Sequence, residues 1–105
     1  MDYYTTKLGI NEFSDPNLVE KIAKEKYNIN VVFSPRNNKK YRLYNDYTDK
    51  YVDFGEFGYA DATLHKDKKR IERFLSRNAR WKDAPPLSAS WASYNLLWKD
   101  VLDYL

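Results

Sequence analysis

The only histidine in the chain, His65, opens the stretch LHKDKKRIERFLSRNARWK, and residues 64–82 hold eight Lys or Arg against two acids, net +6. Two kinds of chemistry suit such a run: acid–base catalysis around the imidazole, or capture of an anion by the cations. Catalysis needs a positioned group with a useful pKa, and one histidine without any cysteine leaves little to build on. No G-x-S-x-G elbow presents a serine, and a lone histidine cannot form the paired-His sites of zinc or iron enzymes. Asp46, Asp49, Asp53 and Glu56 miss the alternating ligand spacing of a calcium loop. Gly55 and Gly58 miss the spacing of a phosphate cradle. The expectation is a non-enzymatic protein with neither metal nor cofactor.

Anion capture fares better. On a helical wheel Lys66, Arg70, Arg73, Arg77 and Arg80 fall within an arc of roughly 80°, with Lys69 beside it. Carried on one helix, the stripe spans about 21 Å. Arginine dominates it, and the planar guanidinium fork pairs bidentately with phosphate or carboxylate. The rest of the chain is mildly acidic: net −1 over residues 1–63 and −2 over 83–105. Lys66, Lys69, Arg70, Arg73, Arg77 and Arg80 are therefore the candidate surface for a polyanion or an acidic partner. A nucleic-acid surface, a protein-partner surface and a merely solvated helix face all fit these residues.

The elements that must hold this segment are readable from periodicity. In SDPNLVEKIAKEKY, Ser14 or Asp15 caps a helix, Pro16 takes its first position, and Leu18, Val19, Ile22, Ala23 and Tyr27 share one face over residues 16–27. From Asn30 the period becomes two: NVVFS, KKYRLYN and KYVDFG are strands separated by the turns PRNN and DYTD, an antiparallel three-stranded meander. Tyr41 and Leu43 face one side of its middle strand and Arg42 and Tyr44 the other, as when helices cover one face.

Gly55, Gly58, Tyr59, Asp61, Thr63 and His65 then form a structural turn that leaves the sheet, with the imidazole bonding a strand carbonyl or a carboxylate such as Asp61. A helix over residues 67–79 buries Ile71, Phe74 and Leu75 and is ended by KDAPPLS. A last helix starts near Ser88 or Ser90 and runs to the C-terminus. Its apolar arc of Trp91, Tyr94, Leu97, Trp98, Val101, Leu102 and Leu105, widened by Leu96 and Tyr104, exceeds what one neighbour buries. Either two faces are buried at home or another chain packs there, with Trp91, Tyr94, Trp98 and Leu102 as interface anchors.

The whole reads as one α+β domain over residues 1–105: an N-terminal helical arm (1–29), a β-meander (30–55) and a helical part (56–105) packed on the sheet. Its length allows a single modest core. At 17% aromatic, with ten Tyr and three Trp, it is rich in residues with an apolar body and a polar tip, which suit interfaces. No run approaches the roughly 20 apolar residues of a membrane span, and the start MDYYTTKLGINEF lacks the pattern of a secretory signal. The absence of cysteine excludes disulfides and fits an intracellular protein.

The order of residues in FGEFGYADATLHKDKKRIERFLSR resembles the signature of a small family of the nucleocytoplasmic large DNA viruses. The matching positions are Phe54, Gly55, Gly58, Tyr59, Asp61, Thr63, His65, Lys66, Asp67, Arg70, Phe74, Arg77 and Trp81, with Leu97 and Trp98 as a terminal pair. This chain departs in having Asn78 where the family usually has histidine, and KDAPPLSAS in place of a Gly-containing turn, which marks it as a divergent member. The resemblance implies a virion-associated structural protein, of minor capsid or cement type, whose partners are other virion or capsid proteins. It would reside in the virion, and in host cytoplasm or viral factory before assembly. The alternative is a small, sequence-nonspecific DNA-binding or genome-packaging protein that uses the basic helix 66–80.

Overall fold

The computed structural model describes residues 7–105; positions 1–6 of the expected N-terminal arm lie outside the described residues. Helix α1 spans Pro16–Tyr27. Asp15 caps it, accepting hydrogen bonds from the Asn17 and Leu18 amides, and Asn28 closes it in the left-handed conformation. Val19, Ile22 and Ala23 are fully buried, so this helix is part of the core rather than an arm extended from it. Ser14, the other capping candidate, turns inward and accepts the Tyr41 hydroxyl at 2.6 Å.

Strands β1 (Val32–Phe33), β2 (Lys39–Asn45) and β3 (Lys50–Glu56) form the antiparallel meander in the order β1-β2-β3. The alternation holds: Tyr41 and Leu43 are buried, Arg42 is half-buried and Tyr44 exposed. Three features differ from the sequence reading. β1 is two residues long, although the Ser34 amide still bonds the Lys40 carbonyl of β2 at 3.1 Å while its hydroxyl bonds Asp53. Gly55 lies inside β3, opposite Lys40, rather than in the turn that follows. Finally, Lys40 shares the outer face with Arg42 and Tyr44 yet is only 2% exposed, because the segment after β3 folds over that end of the sheet.

That segment contains a one-turn helix α2 (Ala62–His65), capped by Asp61. Lys66 then adopts a left-handed conformation and Asp67 caps α3 (Lys68–Arg77). The expected helix is thus shortened at both ends. The prolines do not stop it: Asn78 does, its side chain donating to the Phe74 carbonyl at 3.0 Å, after which Ala79–Asp83 form a 3₁₀ turn.

Nor does the last helix run to the end of the chain. α4 covers Ala89–Leu96, capped by Ser88, and Lys99–Tyr104 follow as a separate 3₁₀ segment. The Leu97 carbonyl accepts from the Ala62 amide at 3.1 Å, and Trp98 turns out of helical geometry toward α3. The surplus apolar arc is therefore divided between two elements, and Tyr94, Leu96, Leu97 and Val101 are all buried in the protein's own core. This is an α+β fold in which α1, the sheet, α3 and α4 share one apolar cluster.

Candidate functional site: an arginine-rimmed aromatic cleft

α3 presents its residues in two directions. Ile71 is fully buried and Leu75 half-buried, which fixes the helix on the core. One turn on from Arg70, Phe74 stacks face to face on Trp98, centroids 4.0 Å apart and planes 3° from parallel. Trp81, brought back by the 3₁₀ turn after Asn78, meets the edge of Phe74 at 6.1 Å. Trp98 also packs against His65, 5.2 Å between rings. These contacts build a row of four rings from residues that are far apart in sequence.

Between this row, the end of β3 and α4 lies a cleft of about 360 Å³. Most of its wall comes from the positions that carry the viral-family resemblance: Gly55, Tyr59, Asp61, Arg70, Phe74, Arg77, Trp81, Leu97 and Trp98. Spacing alone did not reveal that these residues converge on one concavity. Gly55 has φ +81°, and a Cβ there would sit 3.0 Å from Leu97 Cδ1 and 3.3 Å from Lys40 Cβ, so both backbone and space call for glycine. Gly58 has φ +106° in the turn beyond.

The base of the cleft is a buried polar hub that the sequence reading missed. Lys40 Nζ donates to the Asp61 carboxylate at 3.0 Å, to the Tyr59 carbonyl at 2.6 Å and to the Phe13 carbonyl at 3.3 Å. Asp61 also accepts from the Thr63 amide and hydroxyl, and Thr63 in turn bonds Ser14 and the Asp15 amide. Burial pushes the Tyr41 hydroxyl well above the usual phenol range, so it remains a neutral donor to Ser14. The turn residues Asp61 and Thr63 therefore hold a buried lysine in place. The His65 imidazole bonds neither the Asp61 carboxylate nor a strand carbonyl: its Nδ1 accepts the Asp67 amide at 3.0 Å, which places the neutral ring's proton on Nε2. That atom is buried without a partner, the only such side-chain atom among the described residues. Burial, and then the neighbouring Arg70, lower the imidazole pKa.

At the rim stand Arg70 and Arg77, both exposed, and neither forms an ion pair among the described residues. Arg73 and Lys69 are also exposed on α3 but lie outside the cleft wall. Lys66, in the left-handed position before α3, and Arg80, on the 3₁₀ turn near the Trp81 ring, do not share the helix. The expected stripe of five cations on one helix is thus a core of three, Arg70, Arg73 and Arg77, over about 10 Å.

The proposed interface anchors are tied into the fold. Tyr94 is 6% exposed, while Trp91, against Tyr27, Trp98, against Phe74, and Leu102 are half-buried on the core. Among the described residues, the tyrosines most open to solvent are Tyr44, Tyr47, Tyr51 and Tyr59. A second hollow, of about 560 Å³ beside Trp91 and Tyr27, has Asp46 as its one charged wall residue and none of the α3 cations. Asp100, fully buried among Lys26, Lys99 and the Tyr27 hydroxyl, is another hub without a signature in the sequence.

No three or more His, Cys, Asp or Glu groups cluster in metal-binding geometry among the described residues, and no described helix is long and apolar enough to cross a membrane. Residues 29–78, just under half of the chain, match the model of a family described as "Family of unknown function (DUF5754)". The matched stretch contains the meander, α2 and α3. Neither a curated protein nor a solved structure matches the chain.

Proposed function

We propose that this protein is a non-enzymatic, virion-associated structural protein of minor capsid or cement type from a large DNA virus, and that it docks to other virion proteins through α3. The observation that carries the docking is the set of exposed Arg70, Arg73 and Arg77, none of which forms an ion pair with an acid among the described residues. The fold does not need these charges, and an acidic neighbour does. The viral assignment is supported by the resemblance, which covers residues 40–98. On this reading the protein resides in the virion, and in host cytoplasm or viral factory before assembly.

The rival reading is a sequence-nonspecific DNA-binding or genome-packaging protein, favoured by the net +6 of residues 64–82. The shortened stripe reduces the phosphates that one helix can reach. Replacing Arg70, Arg73 and Arg77 by Glu separates the readings. The docking protein keeps its fold and is lost from particles, and wild type shows no affinity for a duplex between about 50 and 200 mM salt. Duplex binding that falls by orders of magnitude over that range supports the rival. Unimpaired incorporation of the triple variant defeats the docking role of α3.

A further inference from the structure

We infer that the cleft between α3 and α4 receives an apolar side chain of an acidic protein segment, with Arg70 and Arg77 holding carboxylates on either side of it; this rests on the docking reading above. The cleft's acids are already engaged, Asp61 by Lys40 and Glu56 by Lys39, so the two rim guanidiniums leave it with uncompensated positive charge. Between them the walls are apolar: Phe74, Trp81, Trp98 and Leu97. They lie two helical turns apart, about 10 Å along the axis. Acids four residues apart in an extended segment share one face and span about 13 Å, within reach of both long guanidinium side chains, so such a segment brackets the cleft while the side chain midway between them, on the same face, enters it. A buried anchor ringed by charge is the arrangement in which a few residues dominate affinity.

A nucleobase fits less well. Stacking needs an open ring face, and Phe74 and Trp98 cover each other at 4.0 Å while His65 also packs on Trp98. A duplex has no side chain to insert and presents phosphates to Arg73 as readily as to Arg70 and Arg77.

The test is fluorescence anisotropy with a short labelled Asp/Glu-rich peptide carrying one central Leu, and with its Leu-to-Ala counterpart. Wild type should bind the Leu peptide about tenfold tighter or more. Arg70→Gln with Arg77→Gln should cost about tenfold or more, and Arg73→Gln under about threefold. Ser93→Phe, which fills the cleft from α4 without touching a charge, should erase the preference for Leu; thermal melts establish that it folds, and if it does not, the arginine comparison alone decides. Equal affinity for the two peptides, or an Arg73→Gln loss equal to that of the pair, overturns the cleft while leaving docking through a basic face standing. Duplex DNA bound in preference to both peptides, or no binding of any probe, overturns both.

Discussion

Lys40 and Arg70 line the same cleft and carry the same charge, but the fold treats them oppositely. Lys40, 2% exposed, is surrounded by a carboxylate and two carbonyls; Arg70, in solvent, has no ion-pair partner among the described residues. Burying an ammonium costs several kcal/mol and is tolerated only when oxygen acceptors replace the lost water. An exposed guanidinium incurs no such cost and needs no partner at home. The lesson is that in this protein buried charge holds the architecture together, while the exposed charge around it is free to meet something else.

The largest expected effect breaks the buried side of the comparison. Lys40→Met leaves Asp61 buried and uncompensated, and should lower unfolding free energy by about 3–5 kcal/mol in urea denaturation. Arg70→Gln should change it by no more than about 0.5 kcal/mol; similar losses for the two would erase the distinction. Gly55→Ala comes next. It combines a left-handed backbone with a Cβ 3.0 Å from Leu97 Cδ1, and should cost about 1–3 kcal/mol by the same assay.

His65 lies between the two regions, with Nε2 buried and unpartnered. Its pKa is lower folded than unfolded, because burial and Arg70 oppose the imidazolium. The unfolded chain therefore binds more protons between the two values, and stability is lost as pH falls from about 7 through the ordinary imidazole value of about 6.5 toward the lower folded one. His65→Gln should flatten that part of the stability–pH profile; an unchanged slope would assign it to other groups. The smallest effect sharpens the exposed side. Lys66 has φ 52°, and Lys66→Gly should leave stability unchanged or raise it by up to about 1 kcal/mol, while weakening partner binding far less than loss of Arg70.

Element types were largely legible because each rests on local chemistry. Asp15 and Pro16 start α1, period-two patterning marks β2 and β3, and Ser88 caps α4. Boundaries failed where a distant group intervened. Trp98 leaves the helical path to stack on Phe74, the Leu97 carbonyl is taken by Ala62, and Asn78 rather than a proline ends α3. The cations of α3 were identified by type and spacing, but Lys66 and Arg80 were grouped with them on the assumption of one continuous helix.

The composition and order of residues were enough to establish an α+β chain whose positive charge is concentrated after the meander, since charge and hydrophobic periodicity are properties of neighbours along the chain. Which cations are structural and which remain unpaired was decided in three dimensions. Lys40 and Arg42 look alike in KKYRLYN, and only the return of Phe57–Asp61 over the sheet closes water off from the first of them. The cleft has the same origin: rings from residues 74, 81 and 98 become one wall only when helices and turns distant in sequence pack together, because desolvation depends on what surrounds a group in space.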